Sequence, residues 1–195
     1  MLPVTYPFIL AFGDSLTAGY GLAPDRSFPR QLEGLLRVRH PAAQVHNAGV
    51  SGDTSAGGLA RLPRVLASLP ARPDLAIVEL GANDLLRGIA PERMQGNLDA
   101  ILRELARCGI PVLLAGMWAP PFLGGFAARY NQVFPALAKA HGVPLYPFFL
   151  AGVAGDPALT LADRIHPNAQ AIGIVAGRIL PQVEAALMTG TRQAA

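Results

Sequence analysis

The sequence predicts an α/β protein, a three-layer α/β/α sandwich on a five-stranded parallel sheet, and three observations predict it. Five short apolar runs alternate with longer segments whose leucines recur at helical spacing, which requires parallel strands joined by right-handed crossovers. The runs lack the polar alternation of a half-exposed strand, as expected beneath two helical layers. Several end abruptly in a glycine beside a polar side chain, which marks the turns where such sheets bind ligands.

The first run, Phe8 to Phe12, is too short for a helix, and Phe8, Ile9 and Phe12 suit a buried strand. Gly13 permits a tight exit, so Ser15 falls in the first turn of the next element, where free backbone N–H groups point outward and favour negative charge. A serine there can attack a carbonyl with its own N–H aimed at the oxyanion that forms. Equally, Asp14 or Ser15 can cap a helix, and the stretch alone leaves both readings open. A loop from Thr17 to Asp25 leads to a helix from Ser27 to about Arg39, which His40-Pro41 ends. The second strand, Gln44 to Asn47, runs into a polar turn holding Gly52, and then a helix places Leu59, Leu62, Val65, Leu66 and Leu69 on one side. The third strand, Leu75 to Leu80, closes on Gly81-Ala82-Asn83-Asp84, and a helix follows from Pro91, a good first-turn residue, to about Arg107. Val112 to Gly116 is the fourth strand, followed by an apolar loop from Met117 to Gly125 and a helix from Phe126 to His141. A fifth strand, Leu145 to Phe148, an irregular stretch to Asp163, a helix from about Asn168 to Met188 and a frayed tail from Thr189 complete the chain. Ser15, Gly52 and Asn83 all follow strands, and in the flavodoxin-like order 2-1-3-4-5 they become neighbours.

With 195 residues and 51% hydrophobic content, the chain can bury one full-sized core, so residues 1–195 read as a single domain with its core at about 8–188. Cys108 is the only cysteine, which excludes an internal disulfide and any Cys/His metal cluster. The net charge of +3 comes from scattered arginines, with Lys139 the only lysine, and no basic stripe with interleaved aromatics points to nucleic acid. No apolar run is expected to reach membrane-spanning length, and Met1 to Pro7 shows no export leader. The chain as written is expected in the cytoplasm, or in the periplasm or outside the cell if a signal peptide has been removed.

A serine nucleophile needs a base, an orienting acid and oxyanion donors. Asp163-Arg164-Ile165-His166-Pro167 supplies an acid and a histidine three residues apart, so the carboxylate can reach Nδ1–H and leave Nε2 for the serine. Of the other histidines, His40 and His141 end helices and His46 ends a strand, where capping or core roles are expected. Asp14, Asp53 and Asp84 read as loop-fixing acceptors. The lipase-type G-x-S-x-G elbow is absent; Asp53-Thr54-Ser55-Ala56-Gly57 comes nearest, with Ser55 expected to cap a helix.

Gly13-Asp14-Ser15-Leu16, Gly52 in its Ser-Gly-Asp turn, Gly81-Ala82-Asn83-Asp84 and Asp163 to Pro167 together resemble, in order and spacing, the signature blocks of the GDSL or SGNH hydrolases. Within that superfamily the chain looks most like the branch of multifunctional thioesterase/protease/lysophospholipase enzymes and bacterial arylesterases, from about Ile9 to Leu180. The resemblance implies Ser15 as nucleophile, His166 as general base, Asp163 as orienting acid, and an oxyanion hole of the Ser15 and Gly52 N–H groups with the Asn83 amide. Those residue types suit the roles, since Gly52 lets an N–H approach substrate closely and Asn83 offers an uncharged donor. One departure lies after Pro120-Pro121, where relatives in this branch often continue with Asn-Tyr-Gly and this chain has Phe122-Leu123-Gly124-Gly125-Phe126. Arg129-Tyr130-Asn131 resembles the family again. With Met117 and Trp118, the segment carrying Phe122, Leu123 and Phe126 can wall an acyl or aryl pocket, or else pack on the sheet edge or in a homo-oligomer contact; Phe148, Phe149 and Leu150 are the next place to look.

These features imply an esterase acting on small aryl or short-to-medium acyl esters, and thioesters, through an acyl-enzyme, with no metal or organic cofactor. Two rivals exist. One is a carbohydrate acetylesterase with the same triad, against which the scarcity of aromatics counts. The other is a non-catalytic flavodoxin-like binding module, which lacks a phosphate-cradling glycine loop with a lysine and leaves Asp163 and His166 unexplained.

Overall fold

The computed structural model describes residues 6–193, built on strands β1 (Phe8–Gly13), β2 (Gln44–Gly49), β3 (Leu75–Glu79), β4 (Val112–Ala115) and β5 (Leu145–Tyr146). All pair in parallel, in the expected order β2-β1-β3-β4-β5. The order reverses at β1, whose last residue, Gly13, is in register with Gly49 of β2 and Glu79 of β3. Every residue of β3 and β4 is buried, as a sheet covered on both faces demands.

Helices α2 (Phe28–Leu36) and α7 (Ala169–Gln193) pack together over one face, while α3 (Ser55–Ser68), α5 (Pro91–Arg107) and α6 (Gly124–His141) form a row over the other. Phe28, Leu32 and Leu36 make the buried stripe of α2, and Met94, Leu98, Ile101 and Leu105 that of α5, each at helical spacing. Two short helices, α1 (Ser15–Ala18) and α4 (Ala82–Leu86), follow β1 and β3 directly at the edge where the strands end.

Several expected boundaries shift. The loop expected from Thr17 begins only after α1 has used Ser15 to Ala18. α2 stops at Leu36 rather than near Arg39, because Val38 and Arg39 bond back to carbonyls three residues earlier in a tighter turn. β5 ends at Tyr146 instead of Phe148, and Pro147, having no N–H, cannot extend the ladder. α6 starts at Gly124, two residues before the expected Phe126. Thr54 caps α3 by accepting from Gly57 N–H, so Ser55 is the first helical residue and not the cap. The tail expected to fray from Thr189 is helical through Gln193. Its last two residues, and Met1 to Thr5 of the segment read for a leader, lie outside the described residues.

The span expectation also needs correcting, since Ala169–Thr189 of α7 is long and apolar enough to cross a membrane. In this fold its apolar stripe, including Ile172, Val175, Ile179 and Val183, is buried in the core against α2 and the sheet.

Candidate active site

The site is assembled at the ends of β1, β2 and β3. β1 delivers Gly13 to a crowded corner, where a Cβ would collide with Thr17 Oγ1 and with the Glu79 backbone and carboxylate, so only glycine fits. Asp14 then caps α1, its Oδ1 accepting from Leu16 N–H at 3.0 Å. Ser15 is the first residue of α1, where its N–H has no acceptor four residues back. Only 8% of Ser15 is exposed.

The loop before α7 brings the histidine to this serine across 151 residues of sequence, with His166 Nε2 3.1 Å from Ser15 Oγ. His166 Nδ1 lies 2.7 Å from Asp163 Oδ2, while Asp163 Oδ1 accepts from Ile165 N–H at 2.9 Å and His166 N–H at 3.0 Å. These backbone bonds, with the imidazole as a smaller contributor, hold the Asp163 carboxyl down at about 2. Between Asp163 and His166 stands Arg164, the one non-glycine residue with positive φ, +57°, among the described residues. Such backbone strain persists where the surroundings over-determine a conformation and clusters at functional sites. A cross-link from Leu161 N–H to His166 C=O, 2.8 Å, closes the loop behind it.

Gly52 occupies the third position of a turn closed by Asp53 N–H to Val50 C=O at 3.1 Å, and its φ of +81° is what a type II turn requires there. Asn83 lies in α4, and its Nδ2 donates to Asp14 Oδ2 at 3.0 Å, which fixes which end of the amide faces the site. β1 is flanked by β2 and β3, so the turns carrying Gly52 and Asn83 stand on either side of Ser15.

A buried layer supports this surface. Glu79, fully buried at the end of β3, accepts from Thr17 Oγ1 at 2.8 Å and from Asp14 N–H at 3.4 Å. Burial, then the charge of nearby Asp14, pushes the Glu79 carboxyl well above the usual carboxylate range. Asp14 is raised to about 6, chiefly by burial, with the Leu16 N–H and Asn83 amide pulling the other way. Asp84 accepts from Ser55 N–H and Oγ at 2.8 and 2.6 Å, and Asp53 pairs with Arg61, so the three spare aspartates are fixing groups as expected, Asp84 from within α4 and not from a loop.

His141 also has a carboxylate partner, Asp99 at 2.7 Å, but that pair ties α6 to α5. The apolar segment after β4 is only partly packed. Phe126 stacks on Tyr130, and Trp118 meets Phe148 at a ring separation of 6.2 Å, but Phe122 is 84% exposed and Leu123 and Trp118 also face solvent. None of the four lines either the cavity between β2 and α2 or the one beside Leu150 and Pro167. The latter, about 200 Å³, lies against the loop carrying Asp163 and His166 and is lined by Leu150, Ile165 and Pro167 among others.

Three residues went unnoticed in the sequence. Tyr20 lays its ring 4.3 Å from that of His166, while Arg61 and Arg87 bind backbone carbonyls at the strand ends. Their acceptors and partners are far away in sequence, so no local pattern announces them.

Comparison with known proteins gives consistent matches. The model of the GDSL-like lipase/acylhydrolase family matches residues 11–171. The crystal structure of AlinE4, an SGNH-hydrolase family esterase, superposes with a TM-score of 0.78 at 48% identity, covering 93% of this chain and 97% of that one. Esterase TesA of Pseudomonas aeruginosa is 41% identical over 82% of this chain and 79% of its own length. Thioesterase 1/protease 1/lysophospholipase L1 of Escherichia coli K12 is 37% identical over 90% of this chain and 83% of its own.

Proposed function

Because the chain belongs to the GDSL-like lipase/acylhydrolase family, we propose that it hydrolyses carboxylic esters as a single-domain serine esterase working through an acyl-enzyme. The observation that carries this is the continuous relay from Asp163 through His166 to Ser15, with steps of 2.7 and 3.1 Å. In this reading Ser15 Oγ attacks the acyl carbon while His166 Nε2 takes its proton. Asp163, ionised at any working pH, holds the imidazole in the tautomer that leaves Nε2 free to accept. The tetrahedral oxyanion rests on the Ser15 and Gly52 N–H groups and on Asn83 Nδ2, whose second hydrogen is free once Asp14 has taken the first. The imidazolium then protonates the departing alcohol, and water attacks the acyl-enzyme by the same steps in reverse.

Small aryl or short-to-medium acyl esters are the substrates of this reading, with Trp118, Phe122, Leu123 and Phe126 of the apolar segment after β4 as the side chains that meet the acyl or aryl group, a role supported by the exposure of Trp118, Phe122 and Leu123. Thioesters belong to the same reading, supported by the name of the E. coli relative and by a mechanism that needs only a competent leaving group.

The test is covalent. A fluorophosphonate should label one serine per chain, and peptide mapping should place the adduct on Ser15. Ser15→Ala should lose roughly 10⁴-fold or more in kcat. An adduct on Ser51 or Ser55, or a variant that keeps a tenth of its activity, would remove Ser15 from the role.

A further inference from the structure

Arg61, on α3, spends its guanidinium on the machinery's backbone. Nε donates to Asp53 Oδ2 at 2.6 Å, Nη1 to Ala48 C=O at 2.8 Å and Nη2 to Gly13 C=O at 2.8 Å. Its Cζ lies 4.2 Å over the ring of Phe12, so the plane is clamped from its face as well as its edge, and only 19% of the side chain is exposed. Gly13 is the last residue of β1, Ala48 the last but one of β2, and Asp53 directly follows Gly52. One planar group therefore spans the Gly13–Ser15 turn and the Ala48–Asp53 turn.

Arg87, directly after α4, makes the complementary connection. Its Nη2 donates to Gly52 C=O at 2.7 Å, and no carboxylate among the described residues pairs with it. It thus joins the turn holding Gly52 to the helix holding Asn83.

We propose that Arg61 and Arg87 are positioning residues that cross-brace the oxyanion hole. Arg61 sets the Gly52 N–H relative to Ser15, and Arg87 sets it relative to Asn83. The inference rests on the assignment of Ser15, Gly52 and Asn83 as the oxyanion donors. The need is physical: the three donors come from three separate segments, Gly52 stands in an exposed turn, and donors stabilise an oxyanion only when held in place before the charge develops. An arginine meets this need better than a lysine at Arg61, because three acceptors lie around one plane and an ammonium cannot serve them all in that geometry. At Arg87 one hydrogen bond is made, so a lysine can replace much of it.

The experiment compares Arg61→Lys, Arg87→Ala and Arg87→Lys with wild type, using a soluble acetyl ester and rates normalised to active sites titrated with fluorophosphonate. Labelling of wild-type Ser15 tests the hydrolase reading by itself, so its failure is distinct from a failure of the braces. The expected result is a loss of about 10- to 100-fold in kcat per titrated site for Arg61→Lys and Arg87→Ala, smaller than removal of a donor itself, with KM within about twofold. Arg87→Lys should recover most of its loss, and adding guanidinium to Arg87→Ala should raise kcat where sodium at equal ionic strength does not. Wild-type kcat per titrated site in Arg61→Lys and Arg87→Ala, or a change confined to KM, overturns the proposal. If Arg61→Lys fails to fold, Asp53→Asn, which weakens one of its three anchors, should show a smaller kcat loss with the same KM pattern; an unchanged kcat there overturns the role of Arg61.

Discussion

At the scale of single residues, the site keeps a carboxylate where water cannot reach it. Asp14 is needed as an acceptor for Leu16 N–H and the Asn83 amide, yet burial raises it to about 6 from 3.8. Between those two values the folded chain holds a proton that the unfolded chain has released, so stability falls as pH rises through that window and the penalty is complete above about 6. At about 1.4 kcal/mol per unit, the penalty is roughly 3 kcal/mol. Asp14→Asn removes the titration. Its stability relative to wild type, from urea unfolding at fixed pH, should therefore improve by up to roughly 3 kcal/mol between about pH 4 and pH 7, whatever constant offset the lost acceptor adds. The same variant should lose kcat, because Asn83 no longer has a carboxylate to hold it. A stability difference that does not vary with pH would show that Asp14 is not buried as a charge. The sequence placed Asp14 correctly among the loop-fixing acceptors, since an aspartate just before a helix is a cap by local rule. It did not expose the bond to Asn83, 69 residues on, because only the adjacency of β1 and β3 creates it.

At the scale of elements, the segment between β4 and α6 is the one that the proposed reading turns toward substrate. It is pinned at Gly116, which donates to Tyr146 C=O and accepts from Phe149 N–H, and at Ala119, where Asn131 on α6 accepts from Ala119 N–H at 2.7 Å and donates to Ala119 C=O at 3.0 Å, imitating a strand neighbour. Between and beyond these pins Trp118 and Phe122 are exposed, and a methylene accommodated against such side chains is worth about 0.8 kcal/mol, roughly fourfold in kcat/KM. Trp118→Ala and Phe122→Ala should shrink the advantage of butyryl, hexanoyl or phenyl esters over acetyl while leaving the acetyl rate nearly constant. Equal proportional losses on all esters would assign the loop to the fold and move the search to the cavity beside Leu150 and Ile165. Strands and long helices were legible here because their periods repeat over enough residues to stand out. α4 was not: five residues, Ala82 to Leu86, carry barely one helical turn, and their geometry follows from the turn after β3 and the buried Asp84. Ser55 was misread for a related reason, since Thr54 and Ser55 are both capping types and only the depth of Ser55, donating to Asp84, decides between them.

At the scale of the molecule, the sheet carries Ser15, Gly52 and Asn83 beyond its strand ends while α7, packed against that sheet, anchors the loop holding Asp163 and His166, so the fold and the site should fail together. Far-UV circular dichroism and ester hydrolysis should therefore trace one coincident urea transition. An activity loss well before the change in secondary structure would instead show that the loop carrying Asp163 and His166 opens on its own, and a two-step dichroism curve would divide the proposed single domain. Ile77→Ala, in the middle of the fully buried β3, should cost about 2–5 kcal/mol and move both curves equally. The separation of Ser15 from His166 by 151 residues also gives the chain a schedule. On a ribosome, Ser15, Gly52 and Asn83 emerge with the first three strands, while His166 arrives only with the final stretch from Asp163 onward. Because β4, β5 and α7 complete the core that holds the turns carrying those three residues, a chain terminated before Asp163 lacks both the histidine and its scaffold, so under the proposed mechanism hydrolysis begins only when synthesis is nearly complete.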